Sequence, residues 1–138
     1  MMLKGYLEIK KIKWPKSKLK QSIYLKNHQL KGAKLVEYFL IEQGAPKYFI
    51  NKVKGLVENH EIGGGKNRNI IKDADSISFF ENNVTHLLND LIKDLGRESI
   101  HDKFKWMYQR ISSKKAKDIV KTWYINSIKN LDNYEKNR

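Results

Sequence analysis

Apolar positions recur at helical spacing along most of the chain. Leu19, Ile23 and Leu30 are spaced for one face of a helix that begins near Ser17. The same periodicity continues over residues 31–43, and it is clearest over residues 84–95 and 114–131. The pattern therefore predicts an all-α fold, with about six helices in a single helical domain over residues 17–131.

The two ends of the chain lack this regular pattern. Trp14 and Pro15 interrupt a lysine-rich start, so residues 1–16 are predicted to form a basic, irregular lead-in. Residues 132–138 are predicted to be a frayed tail. Between these ends, Gly44 is expected to end a helix, and Pro46 suits the first turn of the next.

The inward faces of the helices can also be predicted from the spacing. Leu19, Ile23 and Leu30 are spaced for one helix face, and over residues 31–43 the residues expected to face inward are Ala33, Val36, Leu40 and Phe39. The last helix is expected to bury one apolar side, made of Ala116, Ile119, Val120, Trp123, Ser127 and Leu131.

Composition narrows the class of protein. Of 138 residues, 40% are hydrophobic and 31% are charged, which is typical of a globular protein. The absence of Cys excludes disulfides, thiolate zinc sites and Cys nucleophiles. No apolar run approaches the roughly 20 residues of a membrane span, and no secretory signal is present. The sequence therefore predicts a cytoplasmic protein with no membrane partner.

The net charge of +13 is unevenly distributed. Residues 1–20 carry seven cations and one anion, and residues 101–138 carry ten cations and four anions. Residues 61–100 carry five cations and seven anions. An acidic middle suits a cation site, and basic ends suit phosphate or nucleic acid. The alternative is compositional, because a biased genome also gives a chain rich in Lys, Asn and Ile.

The stretch from residue 60 to residue 81 concentrates candidate chemistry. It opens with the pair His60-Glu61, continues with three glycines, and later contains Asp73 and Asp75. Imidazole and carboxylate ligands suit divalent metals of the Mn, Fe, Ni, Co and Zn kind. The alternative is a polar loop between two helices that holds no metal, with the Asp residues near a helix start. His60 itself ends an apolar helical pattern, where a hydrogen-bonded core role is common.

Two segments in this part of the chain, HEIGGG and IIKDADSISFF, resemble the late part of the HD superfamily of metal-dependent phosphohydrolases. In that resemblance Asp75 matches the family's final Asp ligand, and His60 matches the later His of two-metal members. His28, in NHQLKGA, resembles the preceding His of the family pattern. Asp73 is assigned to the second shell, holding a ligand or a bound water. The resemblance covers roughly residues 27–113.

The defining elements of the family are missing from the positions where they would stand. The family's His-Asp dipeptide and an earlier His precede the matched segments, but residues 1–27 contain neither His nor Asp. The pair His101-Asp102 lies after Asp75, in the wrong order, and is interpreted as a first-turn feature of its helix. The resemblance thus implies an HD-like fold that is N-terminally truncated.

The resemblance also implies a function, hydrolysis of a nucleotide or another small phosphate ester. A divalent metal would be held by His28, His60 and Asp75, which leaves positions open for water and substrate. Glu61 is the candidate general base on the metal-bound water.

Three cations follow the glycines and are candidates to hold the substrate phosphate. They are Lys66, Arg68 and Lys72. The alternative is that Lys66 and Arg68 are solvated loop charges.

Two other functions remain open at this point. The chain could be a non-catalytic scaffold that oligomerises or binds a partner, because missing helices would leave an apolar face uncovered. A homo-oligomer is expected from the aromatic residues of the last two helices, Trp106, Tyr108, Trp123 and Tyr124. The third function is nucleic-acid binding without a metal, which rests on charge alone.

Overall fold

Six α-helices make up most of the part of the chain that the structure describes, residues 13–136. In this computed structural model 81% of that part is helical, and it contains no strand. The helices are α1 Lys18–Glu42, α2 Lys47–Val57, α3 Lys66–Asn82, α4 at residues 84–95, α5 Arg97–Gln109 and α6 Lys114–Lys136. The prediction of an all-α fold with about six helices is confirmed.

The helix ends follow from identifiable residues. Ser17 caps α1, since its Oγ accepts a hydrogen bond from the Lys20 N–H at 3.2 Å. After α1 the chain turns at Gly44, whose φ of 73° favours glycine, and Pro46 directly precedes α2. The predicted lead-in therefore gives way to a helix at the expected place, although residues 1–12 lie outside the described residues. At the other end, α6 continues to Lys136 rather than ending at residue 131.

The described residues divide into two compact units. The first unit is Pro15–Lys72, which holds α1, α2 and the start of α3. The second unit contains Trp14 and the chain from residue 73 onward, with the rest of α3 and α4 to α6. The division falls inside α3, between Lys72 and Asp73.

In the first unit, α1 packs on α2 through a side that includes the predicted inward residue Ala33. Its buried residues are Leu25, Gln29 and Ala33, at i, i+4 and i+8. Gly32 brings the helices close, because a Cβ there would lie 3.4 Å from a methyl group of Val57.

Of the α1 residues predicted to face inward, Ala33 is buried, Val36 and Leu40 are half-buried, and Phe39 is exposed by 44%. Leu19, Ile23 and Leu30 are exposed by 72%, 53% and 43%. The helix is apolar on two sides, and small residues on the other side allow the closer helix contact. Ile41 lies on the same exposed side by helical spacing. We call Leu19, Ile23, Leu30 and Ile41 the apolar stripe.

The second unit contains the larger apolar core. Its members come from α3 to α6 and include the fully buried Phe104, Ile100, Leu131 and Val120. Within α4 the segment Leu87–Leu91 is a π-helix, which contributes three of the buried leucines, Leu87, Leu88 and Leu91.

The predicted face of α6 is correct in part. Ala116, Val120, Ser127 and Leu131 are buried, but Ile119 and Trp123 are exposed by 50% and 37%. These two residues lie at the border of the buried face, where the narrow contact with α5 does not cover them.

A hydrogen-bond network joins α3 to the turn between α5 and α6. The buried carboxylate of Asp73 accepts the backbone N–H groups of Ser112 and Ser113, both at 2.9 Å. The hydroxyl of Ser76 donates to the carbonyl of Met107 at 2.7 Å. Asp73 thus satisfies N–H groups that the start of α6 would otherwise leave without an acceptor.

Arg110 completes this network. Its Nε donates to Ser76 Oγ at 2.8 Å, and its Nη2 lies 2.6 Å from Asp75 Oδ2. The guanidinium also lies over the ring of Trp106, 4.7 Å from its centroid. The KDADS segment therefore has a structural role within the second unit.

Replacing Asp73 by Ala should lower the free energy of unfolding by about 2–3 kcal/mol, because two backbone donors lose a buried, charged acceptor. Urea unfolding followed by circular dichroism measures this difference. The exposed Asp94 is the matched control, and Asp94→Ala should change stability by less than about 0.5 kcal/mol. Equal losses in both variants would contradict the capping role of Asp73.

Candidate metal centre

Two histidines and one glutamate of the first unit converge on a single point. His28 lies on α1, and His60 and Glu61 lie in the turn that follows α2. The short connection between α1 and α2 brings the middle of α1 beside this turn, where the His60 N–H donates to the Val57 carbonyl at 3.3 Å. Residues 32 positions apart in sequence thereby meet.

The carboxylate of Glu61 lies between the two imidazoles. Its Oε1 is 3.1 Å from Nε2 of His28 and 3.2 Å from Nε2 of His60. The Glu61 side chain is only 6% exposed, whereas the two histidines are 19% and 17% exposed. The candidate ligand atoms of the three residues all lie within 4.8 Å of one another.

A backbone contact fixes the tautomer of His60. Its Nδ1 lies 2.6 Å from the carbonyl oxygen of Val57, which can only accept, so Nδ1 carries a proton. In a neutral ring Nε2 is then the unprotonated nitrogen, and its lone pair faces the Glu61 oxygen. Two lone pairs at this distance require a proton or a cation between them. An imidazole that donates its other N–H to a carbonyl is the usual arrangement of a metal-ligating histidine.

His28 is held by stacking. Its ring lies parallel to that of Tyr24, with centroids 6.1 Å apart and an interplanar angle of 12°. Within the described residues its buried Nδ1 has no hydrogen-bond partner. Burial, and after it the negative charge of Glu61, raise the pKa of the Tyr24 phenol to about 12. Tyr24 is therefore neutral at physiological pH, and its pKa depends in part on the charge of Glu61.

The backbone of Glu61 is positioned by Gln29, the neighbour of His28 in sequence. The buried Gln29 side chain accepts the Glu61 N–H at 3.0 Å. One helical turn of α1 thus supplies both a candidate ligand and the group that positions another.

A glycine turn directly follows Glu61 and leads into α3. Gly63 has a φ of 78°, and a Cβ there would lie 2.3 Å from Asn69 Oδ1 and 3.2 Å from the Lys72 side chain. The same Asn69 oxygen accepts the Gly64 N–H at 3.0 Å. Only glycine fits the first of these positions without displacing Asn69.

This arrangement has the dimensions of a metal site. Ligands at about 2.0–2.2 Å from a tetrahedral ion lie about 3.3–3.5 Å apart, close to the two separations around Glu61. Two His and one Glu form a ligand set used by catalytic zinc, with a fourth position open to water or substrate.

Two of the three metal ligands predicted from the sequence, His28 and His60, lie together in this centre. Glu61, predicted as a general base, lies among the candidate ligand atoms. Its position directly after His60 also makes the two residues a potential ligand pair in the sequence. Asp75 belongs to the second unit and pairs with Arg110, so its role as a ligand stays a prediction.

The other predicted site residues have diverse surroundings. Lys66 and Arg68 are exposed at the start of α3, whereas Lys72 is buried. Asp73 binds backbone N–H groups in the second unit, and its assignment to the second shell of a metal stays a prediction. All three phosphate-binding roles also stay predictions.

The pair His101-Asp102 lies in the second turn of α5, which begins at Arg97, so the predicted first-turn position is wrong. His101 Nδ1 and Asp102 Oδ1 are 3.8 Å apart, and the two side chains are 38% and 43% exposed. Nothing about this pair indicates a ligand site.

Comparisons with known proteins give no relative. No family model matches the chain, and neither a curated protein nor a solved structure is similar to it. Among residues 13–136, no helix has the length and apolar character needed to cross a bilayer.

Replacing Gly63 by Ala should destabilise the turn that carries His60 and Glu61, because the new methyl group meets Asn69. Gly64→Ala is the matched control: it places alanine at a φ of 101° but has no atom within 4 Å of the new Cβ. Each variant should lose about 1–3 kcal/mol through backbone strain, and Gly63→Ala should lose more. Thermal unfolding measures both; an equal or smaller loss for Gly63→Ala would show that the contact is unimportant.

Proposed function

We propose that this chain is a metal-dependent phosphohydrolase, whose divalent ion is held by His28, His60 and Glu61. The observation that carries the proposal is the shared Glu61 oxygen, with two imidazole Nε2 atoms 3.1 Å and 3.2 Å away. The resemblance to the HD superfamily assigned a ligand role to both histidines. Glu61 takes the position of a third ligand in this proposal, so it is a ligand rather than the general base.

A divalent cation is one way to compensate the charge and the lone pairs that meet at Glu61. The proton on His60 Nδ1 turns the Nε2 lone pair toward a carboxylate, which is unfavourable without a positive charge between them. A buried carboxylate such as Glu61 also needs compensation of its charge. An ion of the Mn, Fe, Ni, Co or Zn class supplies both. The competing explanation is that protonated imidazoles donate to Glu61 and no ion binds.

The phosphate part of the proposal rests on charge. A bound divalent ion polarises a phosphoryl oxygen and lowers the pKa of its water to about 7. Lys66 and Arg68 are exposed in the first turn of α3, five and seven residues after Glu61. The first unit as a whole, Pro15–Lys72, has twelve Lys and Arg and four Asp and Glu, a net charge of +8. Such a surface attracts a phosphorylated substrate.

Titration calorimetry with Mn, Co, Ni and Zn tests the metal. The wild type should bind one ion, and His28→Ala, His60→Ala and Glu61→Ala should each weaken binding by at least about 100-fold, since three ligands cannot lose one. His101→Ala is the control and should leave affinity unchanged. Hydrolysis of a generic phosphate ester, measured in parallel, should fall with metal affinity.

The same titration distinguishes two ligand sets. If Asp75→Ala abolishes binding while Glu61→Ala retains it, the ligand set implied by the HD resemblance is correct and the one proposed here is wrong. If the wild type binds no ion and hydrolyses nothing, the enzyme proposal fails.

A second candidate function, self-association as a scaffold, is favoured by the apolar stripe of α1. Leu19 and Ile41 are 72% and 56% exposed, and such a row of apolar side chains is a typical contact surface. The aromatic residues that first suggested an oligomer are weaker support, because Tyr108 and Tyr124 stack on each other at 4.4 Å.

Light scattering at tens of micromolar should then give a dimer that Ile23→Gln weakens by about tenfold or more, because a partly buried apolar contact of about 1.5 kcal/mol is lost. Ile119 is the control, since its exposure of 50% in the second unit matches the 53% of Ile23. Ile119→Gln should have no effect. A monomeric wild type would end this candidate function.

A further inference from the structure

The helix that supplies His28 also carries the highest density of exposed positive charge in the first unit. From Pro15 to Val36 the chain contains six Lys and no Asp or Glu. Five of these lysines lie on α1, at positions 18, 20, 26, 31 and 34, and all five are exposed. By contrast, residues 73–138 carry twelve cations and ten anions, a net charge of +2.

Three of these lysines form a line with two other exposed side chains. Lys20, Asn27, Lys31, Lys34 and Tyr38 follow one another at spacings of seven, four, three and four residues, which places them on one side of the helix. All five are exposed, and Tyr38 is exposed by 70%. We call these five residues the basic stripe. At about 1.5 Å per residue it is about 27 Å long.

The basic stripe runs beside the metal-binding side of the same helix. Lys31 lies three residues after His28, and Lys20 lies four residues before Tyr24, which stacks on His28. Residues three and four apart are neighbours on a helix surface. A ligand bound along the basic stripe would therefore lie close to His28.

We infer that the basic stripe binds a single strand of nucleic acid, so that the substrate of the proposed centre is a phosphodiester strand rather than a free small ester. Three cations spread over this length can contact several phosphates of one strand, whereas one small ester needs only one or two. The exposed Tyr38 at one end offers a ring on which a base can stack. This inference rests on the proposed function for its hydrolytic meaning, but strand binding itself requires no metal.

Fluorescence anisotropy with a labelled single-stranded oligonucleotide tests the inference in the presence of a metal chelator. The wild type should bind at 50 mM salt, and its affinity should fall as salt rises, by about 0.7 log units per phosphate contact for each tenfold increase. Replacing Lys20, Lys31 and Lys34 together by Gln should weaken binding at least tenfold and reduce the salt dependence by about 2 log units. Tyr38→Ala should weaken binding with little change in salt dependence.

The control variant loses three positive charges from a different helix, α6. Lys114, Lys115 and Lys121 are exposed on α6 in the second unit, and the triple Gln variant there should bind like the wild type. DNA and RNA strands of equal sequence are compared, because a 2′-hydroxyl contact would favour RNA; unlabelled duplex should compete poorly.

The inference fails if the wild type does not bind the strand at 50 mM salt, if the two triple variants lose affinity equally, or if duplex competes as well as single strand. Failure here is distinct from failure of the metal centre. A protein that binds metal and hydrolyses a small ester, but binds no strand, retains the proposed function and overturns this inference. A protein that binds the strand through the basic stripe but binds no metal supports strand binding and overturns the proposed function.

Discussion

The first unit depends on the buried carboxylate of Glu61 and on what compensates its charge. Burial to 5% exposure would be strongly unfavourable for an isolated carboxylate, so the surrounding groups must supply positive charge or donors. His28 and His60 face its Oε1, and Gln29 fixes the backbone behind it. Because these residues come from α1 and from the turn after α2, any ligand that stabilises this contact also stabilises the packing of α1 on α2.

The composition of α1 shows why one helix can serve several roles. Its buried side contains Leu25, Gln29 and Ala33, of which only Leu25 is large and apolar, and the stacked pair of His28 and Tyr24 lies at the edge of this side. Its exposed side divides into the apolar stripe and the basic stripe. These two stripes lie next to each other, so a partner on one would restrict access to the other. A scaffold function and a nucleic-acid function are therefore competitors for one surface.

The sequence predicted the number and type of helices because helix caps and breakers, such as Ser17, Gly44 and Gly96, act locally. It also predicted the packed side of α1 through Ala33, Val36 and Leu40, because apolar residues at helical spacing mark one face. It identified His28 and His60 as candidates, but not the contact of both with Glu61. That contact depends on how the turn after α2 folds back toward α1, a tertiary feature that spacing does not encode.

The KDADS segment illustrates how one motif can support two explanations. Its resemblance to a ligand-bearing helix predicts that Asp75 binds a metal. In the second unit, however, Asp73 accepts two backbone N–H groups, and Asp75 pairs with Arg110. Acidic residues at this spacing stabilise a helix start and an ion pair as well as they bind a cation. Glu61 differs because two imidazoles face its Oε1. Imidazole can exchange its proton for a metal, whereas a guanidinium cannot. The chemistry of the partners, more than the carboxylates themselves, is therefore the reason that we propose a metal centre in the first unit.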